Sequence, residues 1–461
     1  MGGYIITPGL IPSTVVVLIS RTKYFYEPGV IPSSVRVLQL RGDTELSKSS
    51  TELLVGVIPT SVTSLAINDD YPISKIHPGA IPTSVTDLYL GLWHGNSLLH
   101  QPGVLPESIT QLTWTEYTKV ENKLHPGVLP SSLTNLTFWT PIRDDKVTPG
   151  SIPSNILTLK MQPVYGHGII PSNVTDLCFT SNWSSPITPG LLPNSVTRLD
   201  IGKFNTYRHD YNQNTFPLSL TQLKMNVHDS PPPGALPASL TELDLGLDKN
   251  GTSGLLVGSI PPLVKVLFIR GLNQTLVQGL LPNTLEVLDL LTSNFNHPIT
   301  VNSLPPSLKR INLGEMYNHP FPPGVLPNSL TSIRLGFRFV QLLEPGSIPQ
   351  SLTHLALCGN MTQSGSDVWP RSIKHIELRV GHLGLIPPGR HYDSVSLHGK
   401  VDQTDQEFIR LFMSPSTRIT SNVITNGVAS IQDPWRVRHI DPHSRVSFRE
   451  TPDTLIKQFY T

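Results

Sequence analysis

A short motif, usually an Ile-Pro or Leu-Pro pair preceded by Pro-Gly, recurs along most of this sequence. Residues 78–90 read PGAIPTSVTDLYL and residues 323–335 read PGVLPNSLTSIRL, which are nearly the same stretch. We take the proline of the pair as the anchor of each repeat. The seventeen anchors are Pro12, Pro32, Pro59, Pro82, Pro106, Pro130, Pro153, Pro171, Pro193, Pro217, Pro237, Pro261, Pro282, Pro305, Pro327, Pro349 and Pro370. Because one such unit cannot bury its apolar face alone, we expect the units to stack into a continuous core.

The residue three positions before the anchor is glycine in fourteen of the seventeen repeats. The other three repeats have Asn214, Asn302 and Asp367 there, and Asn and Asp are the non-glycine residues that best tolerate a positive φ. This column therefore predicts a left-handed backbone within a Pro-Gly turn. Two positions after the anchor the residue is usually serine, as in Ser34 and Ser84. We expect its hydroxyl to bond to nearby backbone at the turn.

Each repeat then continues into a predicted β-strand. The third residue after the anchor is Val, Ile or Leu and the sixth is Leu or Ile in every repeat, and the eighth is nearly always apolar, with Ser20 as the exception. The sixth and eighth positions share one face of a strand because side chains alternate with period two. The anchors recur every 22 residues or so, within the roughly 20–29 of leucine-rich repeats. We therefore predict a β-rich solenoid, a leucine-rich-repeat-like horseshoe of about 17 repeats with a parallel inner sheet, followed by a small α+β C-terminal cap.

These repeats resemble FNIP repeats, relatives of leucine-rich repeats best known from social amoebae and giant viruses. The resemblance rests on FNHPI at residues 295–299 and on the recurring PGxIPxSVTxLxL pattern, and it covers roughly residues 5–378. It implies a horseshoe-like solenoid and a role in protein–protein contact. Some members carry an F-box ahead of the repeats, which implies recruitment of targets for ubiquitylation. Here the first Pro-Gly already stands at residues 8–9, so we expect such a role only through an F-box partner or a missing F-box. The asparagine ladder of standard leucine-rich repeats is absent, which predicts a convex side of loop and polyproline-like chain.

The fifth and seventh residues after each anchor should face outward, and on a concave sheet they form the natural binding surface. One group there carries both signs of charge, and a second is apolar. The mixed-charge group fits either a solvated face of compensating charges or a polar docking surface, and the apolar group fits either a contact site or burial under a loop. The candidate partner-binding residues are Lys160, Asp176, Arg198, Asp200, Lys224, Glu242, Asp244, Val266, Phe268 and Val287.

The first repeat has a strand that is apolar on both faces. Its run Val15-Val16-Val17-Leu18-Ile19, with Val37 in the next repeat, predicts outward apolar side chains at an edge strand. Either this edge pairs with a partner or a second copy, or an N-terminal domain belongs in front of it.

The repeat pattern fades after Leu378, which predicts a solenoid over 1–378 and a separate cap or small α+β unit over 379–461. Thr404 and Glu407 stand at capping-box spacing before an amphipathic stretch that ends by Pro415, and Pro452 opens a second predicted helix. Asn426-Gly427 predicts a hairpin. His439, Asp441 and His443 are the best metal-like cluster, but Pro442 breaks the helical spacing that two His ligands would need, so we predict no metal and no cofactor.

Composition restricts the partners. The chain has 461 residues, a formal net charge of +1 and 15% charged residues, so no strong field attracts nucleic acid or a membrane. Two cysteines suggest no disulfide framework, and with no signal-like segment they favour a cytoplasmic location. We therefore predict a non-enzymatic scaffold that binds a protein partner on its sheet. The alternatives are an adaptor in ubiquitin-dependent turnover, an unrecognised enzymatic or metal-binding role in the C-terminal unit, and an extracellular glycan or adhesion role.

Overall fold

A computed structural model describes most residues from Thr7 to His398, together with Arg418–Asn426 and Trp435–Val437. The gaps before residue 398 are 22–25, 43–50, 69–70, 72, 93–101, 117–123, 140–146, 165, 182–185, 202–206, 208–209, 249–253, 291–292, 360–367, 380–385 and 388–389. The chain divides into two compact units, Met1–Asn226 and Val227–Thr461. The predicted boundary at 378/379 stays a prediction.

Regular structure in the described residues consists of β-strands, with no helix among them. Seventeen of the strands begin five residues after an anchor, so each repeat contributes one. In chain order they are β1 Val17–Arg21, β2 Val37–Arg41, β3 Thr51–Leu53, β4 Ser64–Ile67, β5 Ile73–Ile76, β6 Asp87–Leu92, β7 Gln111–Glu116, β8 Asn135–Phe138, β9 Thr158–Met161, β10 Asp176–Phe179, β11 Arg198–Asp200, β12 Gln222–Val227, β13 Glu242–Leu247, β14 Val266–Arg270, β15 Val287–Asp289, β16 Arg310–Asn312, β17 Ser332–Leu335, β18 His354–Leu357, β19 His375–Arg379, β20 His391–His398, β21 Arg418–Asn426 and β22 Trp435–Val437.

The repeat strands are parallel and pair in exact sequence register. In the first unit the fifth residue after one anchor pairs with the fifth residue after the next, from Val17↔Val37 at β1–β2 to Arg198↔Gln222 at β11–β12. In the second unit the same register runs from Glu242↔Val266 at β13–β14 to His354↔His375 at β18–β19. The predicted parallel-sheet solenoid is therefore confirmed, since only a stacked repeat keeps one column of sequence aligned across many strands.

The core is built from the columns that the sequence pattern identified. In the second repeat the third, sixth and eighth residues after the anchor are Val35, Leu38 and Leu40, and none of them is exposed to solvent. Ser20, the polar exception in the eighth-residue column, is also buried and shares a hydrogen bond with the hydroxyl of Tyr26. A buried hydroxyl needs such a partner because leaving it unsatisfied costs about 1–3 kcal/mol.

The glycine column adopts the left-handed backbone that the sequence predicts. All fourteen glycines three positions before an anchor have a positive φ, as in Gly103 at +85° and Gly79 at +79°. Asn302 has φ of 64° and is the non-glycine residue in this conformation among the described residues. The same prediction is wrong for Asn214, which does not have a positive φ. There the Asn212 side chain accepts a hydrogen bond from the Asn214 backbone N–H at 2.9 Å, which closes the turn in another way.

The serine column stabilises contacts between repeats, which differs from the expected bond within its own turn. Ser84 donates its hydroxyl to the carbonyl oxygen of Val62 in the preceding repeat at 2.7 Å. Eleven serines of this column donate in this way, always to the third residue after the preceding anchor, and Thr284 makes the equivalent bond to Val264 at 2.9 Å. The donors are Ser34, Ser61, Ser84, Ser108, Ser132, Ser195, Ser219, Ser307, Ser329, Ser351 and Ser372. We call this set the serine ladder.

The back of the first unit contains short pairings as well as loop. Strand β3, inside the lengthened loop after the second repeat, pairs in parallel with β5 to form a second, two-stranded sheet. An isolated parallel bridge joins Leu124 and Val147 in the same way. These pairings satisfy backbone groups that a polyproline-like chain would leave to water.

The described part of the C-terminal segment continues the parallel pairing. Strand β20 pairs with β19 and with β21, and β22 turns back antiparallel on β21 with Thr425 opposite Trp435. The chain thus reverses direction after Asn426, while Gly427 and the rest of the connection, residues 427–434, lie outside the described residues. Both predicted helices, around Glu407 and after Pro452, lie outside the described residues.

Candidate functional site

Two rows of side chains form the outward face of the sheet in each unit. We call them the fifth-position and seventh-position rows, after their place relative to the anchor. The residues between them are buried, as the alternating burial of Gln222–Val227 and Val266–Arg270 shows. Because neighbouring strands lie about 4.8 Å apart, successive members of a row are close enough for their side chains to touch. This face is where the sheet presents side chains that the core does not use.

In the first unit the outward face brings five of the predicted residues together. Asp176 pairs in register with Arg198, and their side chains form an ion pair of 3.8 Å. In the seventh-position row, Cys178 lies between Lys160 and Asp200, and Asp200 is followed by Lys224. Opposite charges therefore stand next to each other, so part of the predicted charge compensation is present. Lys160 and Arg198 are exposed, and the other charged members of this group are half-buried.

In the second unit Glu242 and Asp244 start the two rows on β13. Arg270 donates to the Asp244 carboxylate at 2.5 Å, while Glu242 is in register with the apolar Val266. The Asp244 side chain is only 18% exposed and that of Arg270 is 32% exposed, so the pair is shielded from water more than the Asp176–Arg198 pair. Asp244 is therefore already partnered within the chain, and Glu242 is the more available carboxylate for a ligand.

The predicted apolar group is also a real cluster. Val266 and Val287 are in-register neighbours, and Phe268 lies between Asp244 and Asp289 in the seventh-position row. All three apolar side chains are half-buried. Since no loop covers them completely, they present an apolar strip that is bordered by carboxylates.

Sequence reasoning missed an ion pair further along the same face. Arg334 on β17 reaches over Ala356 on β18 and donates to both carboxylate oxygens of Glu377 on β19, each at 2.7 Å. Burial lowers the pKa of the Arg334 guanidinium, but the hydrogen bond and charge of Glu377 outweigh this and raise the pKa above its ordinary value. The sequence did contain a signal for this ion pair, because the small residue Ala356 lies between Arg334 and Glu377 in the seventh-position row.

A second missed feature is a pair of stacked imidazoles. His354 and His375 are neighbours in the fifth-position row, with ring centroids 4.0 Å apart and planes 18° from parallel. Burial, together with the charges of His375 and Arg310, lowers the pKa of His354. Reading the fifth-position row in order would have placed these two histidines side by side.

The N-terminal edge is as apolar as its sequence predicts. Val17 is 55% exposed and Ile19 is 60% exposed, and Val37 lies beside them on β2. Among the described residues β1 pairs with β2 alone. Pairing of Val15–Ile19 with a partner or a second copy stays a prediction.

The described part of the chain contains neither a metal-binding cluster nor a membrane-spanning helix. No group of three or more His, Cys, Asp or Glu there is arranged to hold a metal ion. None of its elements is a helix long and apolar enough to cross a membrane. His439, Asp441 and His443 lie outside the described residues.

Known proteins resemble this chain in repeat and in fold. The FNIP Repeat family matches residues 50–93, 166–204, 272–316, 295–338 and 317–360. A solved structure described as CroV588, a novel circular LRR protein, is similar with a TM-score of 0.63 and 22% identity over 90% of this chain. This chain spans 64% of the CroV588 chain. YopM from Yersinia enterocolitica WA-314 matches 83% of this chain and 79% of its own length, with a TM-score of 0.41 and 17% identity. A comparison with curated proteins found no match.

Proposed function

We propose that this chain is a scaffold that binds a protein partner on its outward face, because the FNIP Repeat family matches several of its segments and its fold is leucine-rich-repeat-like. The single observation that supports this most is the exact register of the two rows. The fold needs the third, sixth and eighth positions for its core, and it leaves the fifth and seventh positions free to vary from repeat to repeat. A surface of this kind can be specified without disturbing the core.

In the first unit the proposed contact surface is the mixed-charge group. Lys160 and Arg198 are its most exposed cations, and Asp176 and Asp200 stand beside them. Exposed charges contribute little to stability, about 0–1 kcal/mol for a surface pair, so they are available to select a partner. Such charges act mainly on specificity and on the rate of association.

In the second unit the proposed contact surface is the apolar strip of Val266, Phe268 and Val287 with Glu242 at its border. Aromatic side chains carry a large share of binding energy when a partner excludes water from them. Phe268 is the aromatic member of the strip and is half-buried in the free chain. A partner with an apolar side chain and an adjacent cation would satisfy both parts of this surface.

The test compares partners captured by the wild-type chain with those captured by Lys160→Glu/Arg198→Glu, using affinity purification and mass spectrometry. We expect at least one specific partner to be lost, because two exposed cations of the proposed surface become carboxylates. A second variant, Phe268→Ala, asks the same question of the second unit.

The matched control is Arg338→Glu/Arg371→Glu, which reverses two exposed charges outside both rows. It should capture the same partners as the wild type. Circular dichroism confirms that each variant folds. If the control and the row variants retain the same partners, binding does not involve the outward face and the proposal fails.

The role as an adaptor in ubiquitin-dependent turnover and a catalytic role of the C-terminal unit remain predictions of the sequence. The same purification tests the first, since an F-box partner would be captured together with other ubiquitin-ligase components. Bound metal or activity in the full chain would support the second.

A further inference from the structure

In the stacked pair His354 and His375, a hydroxyl group lies within hydrogen-bond distance of Nδ1 of each ring. The Thr353 hydroxyl donates to the carbonyl oxygen of Thr331 at 3.1 Å, and its oxygen lies 2.8 Å from Nδ1 of His354. The Thr353 hydroxyl thus holds the His354 ring through Nδ1, in addition to its own bond to the preceding repeat.

His375 is positioned in the same manner from the other side. Its Nδ1 lies 2.7 Å from the Ser394 hydroxyl on β20, and its Nε2 lies 3.9 Å from a carboxylate oxygen of Asp393. His391 approaches the other oxygen of Asp393 at 3.4 Å. Both stacked rings thus have a hydroxyl group within hydrogen-bond distance of Nδ1.

The elements around the pair carry more cations than carboxylates. Arg310 lies two strands away in the fifth-position row, with Ser332 between it and His354. Arg334 is on β17 and Lys374 immediately precedes β19. The carboxylates are Glu377, which is bound to Arg334, and Asp393, which is shared by His375 and His391. We call this surface around His354 and His375 the histidine strip. With neutral histidines the histidine strip has a small positive excess of charge, and each protonated imidazole adds one positive charge to it.

We propose that the histidine strip binds a carboxylate-rich peptide segment of a partner and binds it more tightly as the pH falls. The inference rests on the proposed function, since it names one partner chemistry for the outward face. Imidazolium N–H groups donate to carboxylates in charge-assisted hydrogen bonds, which are about twice as strong as neutral ones. A bound carboxylate also offsets the repulsion between two protonated rings that are stacked at 4.0 Å.

The charge pattern favours a short acidic peptide over a nucleic acid. A nucleic acid gains its affinity from many phosphate contacts, of the order of 6–10 for a typical complex. This strip has few fixed cations, and Arg334 already holds Glu377. Glu377 and Asp393 would also repel a continuous phosphate backbone, whereas a peptide can place its carboxylates between them.

The experiment measures binding of a rhodamine-labelled deca-aspartate peptide to the full chain by fluorescence anisotropy at pH 7.5 and pH 5.0. Aspartate has an ordinary pKa of about 3.9, so the peptide remains charged at both pH values. We expect at least tenfold tighter binding at pH 5.0. In His354→Gln/His375→Gln we expect this gain to be lost, while the weak binding at pH 7.5 is retained.

Two controls separate the outcomes. His125→Gln/His167→Gln removes two exposed histidines of the first unit and should keep the wild-type gain. A rhodamine-labelled deca-uridine probe should bind more weakly than the peptide at pH 5.0. As a second readout, the Cε1–H resonance of His354 in the wild type should show that the peptide raises the pKa of this residue.

No binding at pH 5.0, an undiminished pH effect in His354→Gln/His375→Gln, or equal binding of deca-uridine would each overturn the inference. These results leave the proposed function standing, because that function is tested by the partners lost in Lys160→Glu/Arg198→Glu. Conversely, loss of no partner in that test does not alter the peptide measurement.

Discussion

Ser84 donates its hydroxyl proton to the carbonyl oxygen of Val62, twenty-two residues earlier in the chain, at 2.7 Å. Ten other serines of the same column make the same bond, so the serine ladder links eleven repeats to the repeat before each of them. Its members join neighbouring turns through side chains, in addition to the strand pairing.

Ser84→Ala should lower the free energy of unfolding by about 0.5–1.5 kcal/mol, because one hydrogen bond between turns is removed. Urea denaturation followed by circular dichroism measures the change. Thr83→Ala, one residue earlier and exposed, is the matched control and should change stability by less than about 0.5 kcal/mol. Equal losses in both variants would mean that the ladder does not stabilise the stack.

Gly103→Ala should destabilise the protein through its backbone. Gly103 has φ of +85°, and a Cβ added there would meet no atom within 4 Å. The cost therefore comes from the left-handed conformation, about 1–2 kcal/mol for an L-residue with a Cβ. Gly103→Asn should cost less, because asparagine tolerates this region.

Asn302→Gly gives the converse test at the equivalent position of another repeat. Asn302 has φ of 64°, so glycine should be accepted there with a gain in stability or no loss. Thermal unfolding of the three variants ranks them. The column would not require a left-handed backbone if Gly103→Ala were as stable as the wild type.

Phe295→Ala should be among the more damaging single changes. Phe295 is completely buried, and its ring stacks on Tyr317 at a centroid distance of 5.8 Å, with Phe339 on the other side of Tyr317 at 6.2 Å. Removing a buried phenyl ring costs about 3–5 kcal/mol. The comparison is Leu342→Ala, whose side chain is 58% exposed and should be nearly neutral. A urea midpoint for Phe295→Ala close to that of Leu342→Ala would contradict the role of the stack.

His354 should make stability depend on pH. Its pKa is lowered in the folded chain by burial and by the nearby His375 and Arg310, whereas histidine in an unfolded chain titrates near 6.5. Just below that pH the unfolded chain binds more protons than the folded chain, so the free energy of unfolding falls as the pH falls. His354→Gln removes the contribution of this residue to the pH dependence of the free energy of unfolding.

The measurement is the urea midpoint of the wild type and of His354→Gln between pH 7.5 and pH 5.0. The wild type should lose more stability over this range than the variant. Parallel pH profiles for the two proteins would show that His354 titrates in the folded chain as it does in the unfolded chain.

The fold was accessible from the sequence because its constraints are local and repeated. Three constraints act within a single repeat: a left-handed glycine such as Gly103, an anchor proline, and the period-two spacing that puts Leu38 and Leu40 on one face. Each constraint recurs along the seventeen repeats, so the pattern is easy to recognise. Asn214 was misread for the same reason. Its column predicted a positive φ, but the Asn212 side chain two residues earlier closes that turn in another way.

The site was less accessible because its contacts join different repeats. The partner of Ser84 could not be read from its own turn, since the acceptor belongs to the previous one. The Arg334–Glu377 pair crosses an intervening strand, and the stacking of His354 on His375 depends on the register of two repeats. The residues predicted for the outward face do lie in its two rows, but which of them a partner contacts depends on that partner.

The exact register has a practical consequence for anyone who wishes to alter this protein. Pro153 and Pro171 stand 18 residues apart and Pro32 and Pro59 stand 27 apart, yet their strands align on the same two rows. Differences in repeat length are thus accommodated outside the strands, and each repeat presents two outward positions on the sheet. Exchanging the fifth and seventh residues of one repeat for those of another should change the two outward side chains of that repeat and leave its turn and its core residues unaltered.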